Sequence, residues 1–344
     1  MQIERKYTVG YGSEWPLAEA RRALSGARRT VLVAHTNADG DAVGSLTAMY
    51  ALLRSATAAD VTPMLPDGVP DDLCWLPHAD CILDGRSQTA LCAEASAGAD
   101  LVVGLDISGF GRTGSLEPLL RASQADKMLV DHHEEPERDT FRLLVSEPAA
   151  SSTCELVYWL GRELFGPEAF GTDAATSLYT GICTDTGTFS YSNDRPSVYL
   201  AAADLLGYGI DPMHINRQIK NVFTANRLKF FGFAISERLQ VCEERGVALM
   251  VLGTDDMRSH GVHSHELTGL VNEVMKLRAV DCAVLVREEE GKVRLSLRSK
   301  ERYDVNRLAA DMFGGGGHRR AAGATSTLTL AQTVETVKHT LGIE

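Results

Sequence analysis

The sequence predicts an α/β protein, in which a doubly wound, mainly parallel sheet is joined by a helical linker to a smaller α/β domain. Two observations carry the first part of this prediction: short apolar runs with β character recur in the first half, and helical segments separate them. A third observation is that strand-like runs begin again after residue 246, which indicates a second domain.

The strand-like runs of the first half are apolar at nearly every position, as expected for parallel strands that are covered on both faces. They comprise residues 31–34, 101–106 and 128–131. Helices are predicted at residues 46–55, 152–164 and 173–183, and one long helix is predicted over residues 212–239. Alternation of strands and helices favours a doubly wound arrangement over two separate layers.

The second half begins with the strand-like runs VALMVLG, CAVLVRE and VRLSLRS. Four glycines follow at 314–317, then the small-residue segment RRAAGA, which is expected to be helical, and a C-terminal helix. These patterns divide the chain into a first domain at residues 1–205, a helical linker at 206–240 and a second domain at 241–344.

The amino-acid composition excludes several classes of protein. The chain of 344 residues carries 34 basic and 46 acidic residues, a net charge of −12, which argues against a protein that grips long duplex DNA across its surface. Seven cysteines without a C-x-x-C pair suit reduced thiols better than a disulfide framework. We find no signal-peptide pattern and no apolar run near the ~20 residues of a membrane span. A cytoplasmic protein without a membrane partner is therefore expected.

Acidic residues and histidines follow three of the predicted strands, and a further aspartate follows a predicted helix. In open α/β sheets, ligands bind beyond the carboxyl ends of the strands, so these side chains are expected to converge there. Carboxylates repel at close range unless cations lie between them. Carboxylate and imidazole ligands without thiolate suit two Mn²⁺ ions, with Mg²⁺ as the alternative. The residues are His35, Asp39, Asp41, Asp106, His132, His133 and Asp185.

Each of these residues also has an ordinary structural interpretation when it is taken alone. Asp41 precedes a helical pattern and suits an N-cap, whereas Asp185 is expected in a loop after a helix. The histidines of RSHGVHSHE, His260, His263 and His265, have a spacing that would suit a transition metal, but a solvated loop explains them as well.

The segment GFGRTG has the form G-x-G-x-x-G after a strand and suggests an NAD-dependent oxidoreductase as a rival function. Against this function, Asp106 lies where the tight turn should begin, and the segment after Gly114 is short for a crossover helix. The rival function also leaves His35, Asp39 and Asp185 unexplained.

Residues 291–320 form a local basic segment, with eight Lys and Arg against three Asp and Glu. Such an excess of positive charge indicates an anion site. The glycines at 314–317 could give backbone N–H groups close access to a phosphate, and the predicted helix RRAAGA would favour an anion at its start. We expect Ser296, Arg298 and His318 to hold the far end of a short anionic strand.

The motifs HTNADGD, DISGFGR, DHH at 131–133 and TGICTDTGTF resemble the four motifs of the DHH phosphoesterases. The segment from SLRSKERYDV to GGGGHRRAAG is similar to the DHH-associated domain of the RecJ-like nanoRNase (oligoribonuclease) branch, which also acts on adenosine 3′,5′-bisphosphate. The resemblance covers essentially the whole chain. It implies a phosphoric ester hydrolase with its active cleft between the two domains, and it implies that the protein forms a homodimer.

The resemblance also implies residue roles. One metal would be held by His35, Asp39 and Asp106, and the second by Asp41, His132 and Asp185 together with the bridging Asp106. His133 would orient a phosphate or donate a proton, and Arg112 would contact the substrate. Ligand contacts in the second domain would come from Ser296, Arg298, Gly315, Gly316, Gly317, His318 and Arg319.

The expected substrates are short RNA and nucleotides: nanoRNA and dinucleotides, which would be hydrolysed to mononucleotides, and adenosine 3′,5′-bisphosphate. Three alternatives within the same superfamily stay open, namely a cyclic- or linear-dinucleotide phosphodiesterase, a pyrophosphatase and an exopolyphosphatase. The S-R-K-K-Q signature of the pyrophosphatase relatives is absent from the sequence.

Overall fold

A computed structural model describes residues 15–190, 194–220, 223–289 and 291–343, apart from the side chain of His265. The chain forms two compact units that meet in the sequence between residues 222 and 223. This division falls within the segment predicted as the linker.

The first unit alternates strands and helices, as the sequence predicts. Its strands are β1 (Arg29–Val33), β2 (Asp60–Leu65), β3 (Leu83–Asp84), β4 (Leu101–Leu105), β5 (Asp126–Asp131) and β6 (Leu143–Ser146). Its helices are α1 (Leu17–Gly26), α2 (Gly40–Ala56), α3 (Thr89–Gly98), α4 (Glu117–Ala122), α5 (Thr153–Phe165), α6 (Thr172–Asp185), α7 (Pro196–Leu206) and α8 (Pro212–Lys220).

The sheet of the first unit has the order β3-β2-β1-β4-β5-β6, and its described pairings are all parallel. The chain moves outward from β1 to β3 and then outward in the other direction from β4 to β6. The order therefore reverses between β1 and β4, which is the topological switch point where open α/β sheets bind ligands.

Both faces of this sheet are buried. Leu32 on β1 belongs to an apolar cluster with Leu46 of α2 and Leu156 of α5. Its neighbour Val33 points to the other face, into a cluster with Leu120 of α4. Successive strand residues point to opposite faces, so a strand that is apolar throughout needs helices on both sides. The doubly wound prediction is confirmed.

The second unit is a smaller α/β domain. Its strands are β7 (Leu239–Cys242), β8 (Val247–Leu252), β9 (Cys282–Glu289), β10 (Lys292–Ser299), β11 (Gly316–His318) and β12 (Ala321–Ser326). Its helices are α9 (Ala225–Glu237), α10 (Thr254–His260), α11 (Leu270–Val274), α12 (Val305–Phe313) and α13 (Leu330–Leu341). The sheet order is β11-β12-β10-β9-β8-β7; β8 and β9 pair in parallel and the other described pairs are antiparallel.

Two secondary-structure predictions are wrong. The single helix predicted over residues 212–239 is instead α8 and α9, because Thr224 caps α9 by accepting a hydrogen bond from the backbone N–H of Arg227. The segment RRAAGA is not a helix, since Ala321–Ser326 forms β12 between β11 and β10. Alanine favours helices intrinsically, but β10 pairs with all of this segment and β11 with its first three residues, so the backbone is held as a strand.

Candidate metal centre

The predicted ligands of the first unit meet at the switch point of the sheet. His35 follows β1, Asp106 follows β4, and His132 follows β5 directly. Asp39 is the N-cap of α2 and accepts hydrogen bonds from the N–H groups of Asp41 and Ala42. The N-cap suggested for Asp41 is therefore wrong by two residues.

One group of three potential ligands consists of His35, Asp39 and Asp106, whose nearest ligand atoms all lie within 4.8 Å of one another. Nε2 of His35 is 3.2 Å from Oδ2 of Asp106 and 4.0 Å from Oδ1 of Asp39. Nδ1 of the same ring lies 2.8 Å from the carbonyl oxygen of Thr36, to which it can donate. This hydrogen bond directs Nε2 towards the carboxylates, as in histidine ligands of metal sites.

A second group consists of Asp41, Asp106 and His132. Nε2 of His132 lies 3.6 Å from Oδ1 of Asp106, 3.9 Å from Oδ2 of Asp41 and 3.3 Å from Oδ2 of Asp185. Nδ1 of His132 is 3.3 Å from the carbonyl oxygen of Ala150. Asp106 thus presents Oδ2 to the first group and Oδ1 to the second.

Close packing of α2 against α6 places Asp185 beside this second group. A Cβ atom at Gly181 of α6 would overlap Sγ of Cys154 and would lie 2.9 Å from Oδ1 of Asp41. Only glycine allows this approach. Asp185 is the last residue of α6, so the loop position predicted for it is wrong by one residue.

Burial and repulsion between carboxylates raise the pKa values of two residues of the cluster. Burial and the charge of Asp106 raise the pKa of Asp41 to about 7. Burial and the charges of Asp41, Asp39 and Asp106 raise the pKa of Asp185 well above its usual value. A bound cation would relieve this repulsion between carboxylates.

The histidines favour one carboxylate over the others. Burial acts to lower the pKa of His35, but the hydrogen bond and charge of Asp106 outweigh it and raise this pKa to about 9. Burial acts to raise the pKa of Asp106, but the hydrogen bond from His35 and the charges of His35, His132 and His133 hold it well below the usual value. Compared with Asp41 and Asp185, Asp106 is thus the carboxylate whose charged form the histidines favour most.

The N-terminus of α5 holds two of these carboxylates, which sequence reasoning did not find. The backbone N–H groups of Thr153 and Cys154 donate to Oδ2 and Oδ1 of Asp41 at 2.7 and 2.8 Å. The Thr153 hydroxyl donates to Oδ1 of Asp106 at 3.1 Å. Helix N-termini favour negative charge, so this helix stabilises the ionised cluster. Asp106 itself has a left-handed backbone, with φ of 59°.

A chain of three side chains lies next to the cluster. Nη1 of Arg112 lies 2.8 Å from Nε2 of His133, and Nδ1 of His133 lies 2.7 Å from Oδ1 of Asp131. A guanidinium only donates, so Nε2 accepts and the ring proton lies on Nδ1, which donates to Asp131. Asp131 is fully buried, and it was missed as a separate site residue although it begins the DHH motif.

The residues predicted to bind substrate in the second unit lie on β10, on the edge strand β11 and in the segments next to β11. Arg298 pairs across β10 and β12 with Ala321, which in turn pairs with His318 of β11. Ser296 pairs with Gly323, which pairs with Gly316. His318 and Arg298 therefore lie in one row of the sheet, and Ser296 lies two residues along β10, on the same face as Arg298. Arg319 is an exposed residue of the turn between β11 and β12.

The glycines between α12 and β12 have a structural reason of their own. A Cβ atom at Gly315 would overlap the carbonyl oxygen of Gly323, and one at Gly317 would lie 2.5 Å from the carbonyl oxygen of Ala321. At Gly316 the nearest such atom is Oδ1 of Asn306, at 3.6 Å. Gly315 and Gly317 are thus required by the close approach of β12, whereas Gly316 has room for a ligand or a side chain.

Two other motifs that the sequence singled out, RSHGVHSHE and GFGRTG, have structural contacts of their own. The His260 ring packs 4.4 Å from the Phe233 ring, and its Nδ1 lies 2.8 Å from the carbonyl oxygen of Asp256. His263 donates its backbone N–H to Glu266, and the side chain of His265 lies outside the described part. The GFGRTG segment continues into a 3-10 helix, Phe110–Leu116, which is not the crossover helix that a dinucleotide fingerprint would start.

Carboxylates and imidazoles that converge at the switch point of a parallel sheet, beside an arginine, are typical of metal-dependent hydrolases of phosphate esters. Comparison with known families agrees with this class. Residues 29–182 match the DHH family, N-terminal domain, and residues 244–342 match the DHHA1 domain. The chain belongs to the DHH family and is a phosphoric ester hydrolase.

Several relatives carry one functional name. The chain is 28% identical over 326 residues to the bifunctional oligoribonuclease and PAP phosphatase NrnA of Thermus thermophilus, covering 93% of this chain and 91% of that protein. It is 31% identical over 207 residues to the protein of the same name from Bacillus subtilis, covering 59% of this chain and 63% of that protein.

Solved structures share the fold. An exopolyphosphatase-related protein from Bacteroides fragilis is 30% identical, with a TM-score of 0.91 and 95% of each chain covered. RecJ from Thermus thermophilus in complex with Mn²⁺ is 14% identical, with a TM-score of 0.57, covering 96% of this chain and 55% of that one. No helix in the described ranges is long and apolar enough to cross a membrane.

Proposed function

We propose that the protein hydrolyses short oligoribonucleotides, including dinucleotides, to mononucleotides and removes phosphate from adenosine 3′,5′-bisphosphate. The observation that carries this proposal is the carboxylate of Asp106, whose two oxygens face two separate groups of potential ligands. The names of the Thermus and Bacillus relatives support the choice of substrate.

Two divalent cations fit the residues, and we propose Mn²⁺, with Mg²⁺ as the alternative. His35, Asp39 and Asp106 would hold one ion, and Asp41, Asp106, His132 and Asp185 the other. The donor set supports this assignment, because it contains carboxylate and imidazole and each histidine turns Nε2 towards the carboxylates. When bound, such ions would supply a water nucleophile of lowered pKa and positive charge for the phosphate.

The neighbouring residues of the chain would stabilise the charge that develops on the phosphate. We propose that Arg112 donates to an equatorial phosphate oxygen and that His133 holds the guanidinium in place. Since Nε2 of His133 accepts from Arg112 in this structure, an orienting role suits this ring better than proton donation. Asp131 keeps the ring proton on Nδ1.

The second unit would hold the part of the substrate that does not react. Ser296 and Arg298 lie on the same face of β10, His318 lies in the row of Arg298, and Gly316 has room for close approach of a phosphate. Arg319 and the flanking Gly315 and Gly317 would shape this surface. A surface of three sheet rows suits a few nucleotides, which supports short substrates over long polymers.

Hydrolysis of polyphosphate or pyrophosphate is the second candidate, because the Bacteroides relative is described as exopolyphosphatase-related. The test is product release by the Mn²⁺-loaded protein from an RNA dinucleotide, a long RNA strand, adenosine 3′,5′-bisphosphate, a linear polyphosphate and pyrophosphate. Fast release from the dinucleotide and the bisphosphate, lost in Asp106→Ala but kept in the exposed control Asp72→Ala, is expected. Release from polyphosphate or pyrophosphate alone would reject the proposal.

A further inference from the structure

The segment that follows the DHH motif is in close contact with the segment that leads to Arg112. The backbone N–H of Glu137 donates to the carbonyl oxygen of Ser108 at 2.7 Å, and Oε2 of Glu137 accepts from the backbone N–H of Phe110 at 3.2 Å. Between these two contacts, a Cβ atom at Gly109 would lie 2.5 Å from Oε2 of Glu137. One residue, Glu137, therefore holds the backbone of residues 108–110 at both ends.

These contacts hold the start of the 3-10 helix that carries Arg112. The first N–H groups of a helix have no partner within the helix, and the Glu137 carboxylate satisfies that of Phe110. The backbone N–H of Arg112 donates to the carbonyl oxygen of Gly109 at 3.1 Å, and its Nη1 lies 2.8 Å from Nε2 of His133. The place of the guanidinium thus depends on a turn that Glu137 caps.

The same turn is also connected to the candidate metal centre through its backbone. The carbonyl oxygen of Arg112 accepts a hydrogen bond of 2.9 Å from the N–H of Thr36. Thr36 directly follows His35 and precedes Asp39, which belong to one group of potential ligands. A shift of the turn would therefore move both the guanidinium and its distance from the reacting phosphate.

The Glu137 carboxylate is itself held in one orientation. Nη1 and Nη2 of Arg121 donate to Oε1 and Oε2 at 2.7 and 3.2 Å, and the hydroxyl of Thr140 donates to Oε1 at 2.6 Å. Paired contacts of this kind between guanidinium and carboxylate fix the geometry of both groups. The hydrogen bond from Arg121, followed by that from Thr140, lowers the pKa of Glu137 despite its partial burial.

Neutralising Arg121 does not explain why Glu137 is placed here. Arg121 already has a carboxylate partner on its own helix, since its Nε lies 2.8 Å from Oε1 of Glu117. Glu117 and Glu137 are similarly exposed, at 35% and 33%. What distinguishes Glu137 is its contact with the backbone of Phe110. Arg121 thus orients Glu137, and Glu137 holds the turn.

We propose that Glu137 is a positioning residue for hydrolysis, which fixes the turn before Arg112 so that the guanidinium stays beside His133 and reaches the phosphate. This inference rests on the proposed function for the role of Arg112, but it holds for whichever phosphate substrate the protein cleaves. Its basis is the reach of the Glu137 side chain to the N–H of Phe110 and not its charge alone.

Reach and charge are separated by two conservative variants. Glu137→Gln keeps an oxygen at the same distance for the N–H of Phe110, whereas Glu137→Asp keeps the charge beside Arg121 and shortens the side chain. With Mn²⁺ at saturation, Glu137→Ala and Glu137→Asp should lower kcat about tenfold with KM little changed, and Glu137→Gln should stay within about threefold of the parent. Glu117→Gln is the matched control and should keep the kcat of the parent. A parental kcat in both Glu137→Ala and Glu137→Asp would overturn the proposal.

A double variant shows whether Glu137 acts through Arg112. In the Arg112→Ala background, Glu137→Ala should cause no further fall in kcat, because the guanidinium that it places is gone. The same factor in both backgrounds would reject the positioning role and leave only a contribution to stability.

Nuclear magnetic resonance of the metal-free full chain, labelled with ¹⁵N in histidine, gives a readout without substrate. The Nε2 signal of His133, identified by its loss in His133→Asn, should shift in Arg112→Ala because the hydrogen bond from the guanidinium is lost. Glu137→Ala and Glu137→Asp should shift it in the same direction, and Glu117→Gln should not. An unchanged signal in both Glu137 variants would overturn the proposal.

The two proposals can fail independently. If product is released from polyphosphate or pyrophosphate alone, the proposed function fails, and the variants are compared on that substrate. If Arg112→Ala keeps the kcat of the parent, the proposed role of Arg112 fails and the positioning role in hydrolysis fails with it. If Arg112→Ala is slow while Glu137→Ala and Glu137→Asp match the parent, only the role of Glu137 is rejected.

Discussion

The hydroxyl of Thr153 donates a hydrogen bond of 3.1 Å to Oδ1 of Asp106, the residue that faces both groups of potential metal ligands. Thr153 is fully buried, and its backbone N–H donates to Asp41 at the same time. Thr153 thus holds two carboxylates in place: that of Asp41 on α2 and that of Asp106, which follows β4. Contacts of this kind orient ligands and raise metal affinity.

Removing only the hydroxyl tests this role. Thr153→Val should weaken Mn²⁺ binding by about 10- to 100-fold, because Oδ1 of Asp106 loses its donor while the backbone contacts to Asp41 remain. Calorimetry with Mn²⁺ alone measures it, without any substrate. Thr153→Ser should bind Mn²⁺ normally, as should Thr180→Val, which removes another buried hydroxyl that donates to the backbone within α6. Equal affinity in Thr153→Val and the parent would contradict the role.

Arg112, His133 and Asp131 are linked by hydrogen bonds, so substitutions among them should have non-additive effects on kcat. Asp131→Asn should lower kcat on the order of 100-fold, because the amide no longer fixes the ring proton on Nδ1 and the arginine loses its acceptor. Steady-state kinetics on the substrate that the protein cleaves will measure this. The double variant Asp131→Asn, His133→Asn should be no slower than His133→Asn. Additive losses would contradict the chain, and Asp126→Asn, at the exposed start of the same strand, is the control.

Substitutions at the neighbouring glycines Gly315 and Gly316 can distinguish a glycine needed for packing from one that leaves room for a ligand. Gly315→Ala should reduce the free energy of unfolding by about 1–3 kcal/mol, because the new methyl group would overlap β12. Gly316→Ala should change it by less than about 0.5 kcal/mol. Denaturant unfolding of the full chain measures both. Equal stabilities would show that the loop adapts and that the overlap at Gly315 is not what requires glycine.

An ion pair in the second unit predicts a pH dependence of stability. The side-chain hydrogen bond from Arg238 lowers the pKa of Asp256, and the N–H of Gly253 adds to this effect. A lowered pKa stabilises the fold above the unfolded-state pKa, ~3.9, and this contribution disappears as the pH falls through the folded-state pKa. Asp256→Asn should therefore be less stable than the parent at pH 7.

Unfolding by urea between pH 3 and pH 7 measures the difference, which should shrink as the pH falls below about 4. Asp255→Asn is the matched control, since Asp255 is 87% exposed on the same helix and its variant should show little difference at any pH. A difference for Asp256→Asn that stays constant with pH would contradict the ionic origin.

The first unit was largely predictable because its signals are local. Strands that are buried on both faces are apolar throughout, and their carboxyl ends meet by the rules of parallel sheets. Asp106 and His132 each follow a strand directly and His35 follows one after a single residue, so their meeting followed from the sheet order. The contacts of Thr153 did not follow, because α5 lies 47 residues after Asp106 and only packing brings the two together.

The second unit was less predictable for a physical reason. The segment Ala321–Ser326 contains three alanines, which favour a helix, but it pairs with β10 along its length and with β11 over its first half. The glycines at 315 and 317 suggest ligand access in the sequence, and the space around them shows contact with β12 instead.

Asp106 lies between the two groups of potential metal ligands. Its position determines which substitutions can separate the roles of the two groups. A substitution at Asp106 changes both groups at once and cannot assign an effect to either. Asp39 belongs only to the group around His35, whereas Asp41 belongs only to the group around His132. Allelic series at Asp39 and Asp41, compared in parallel, can therefore separate the phenotypes of the two groups.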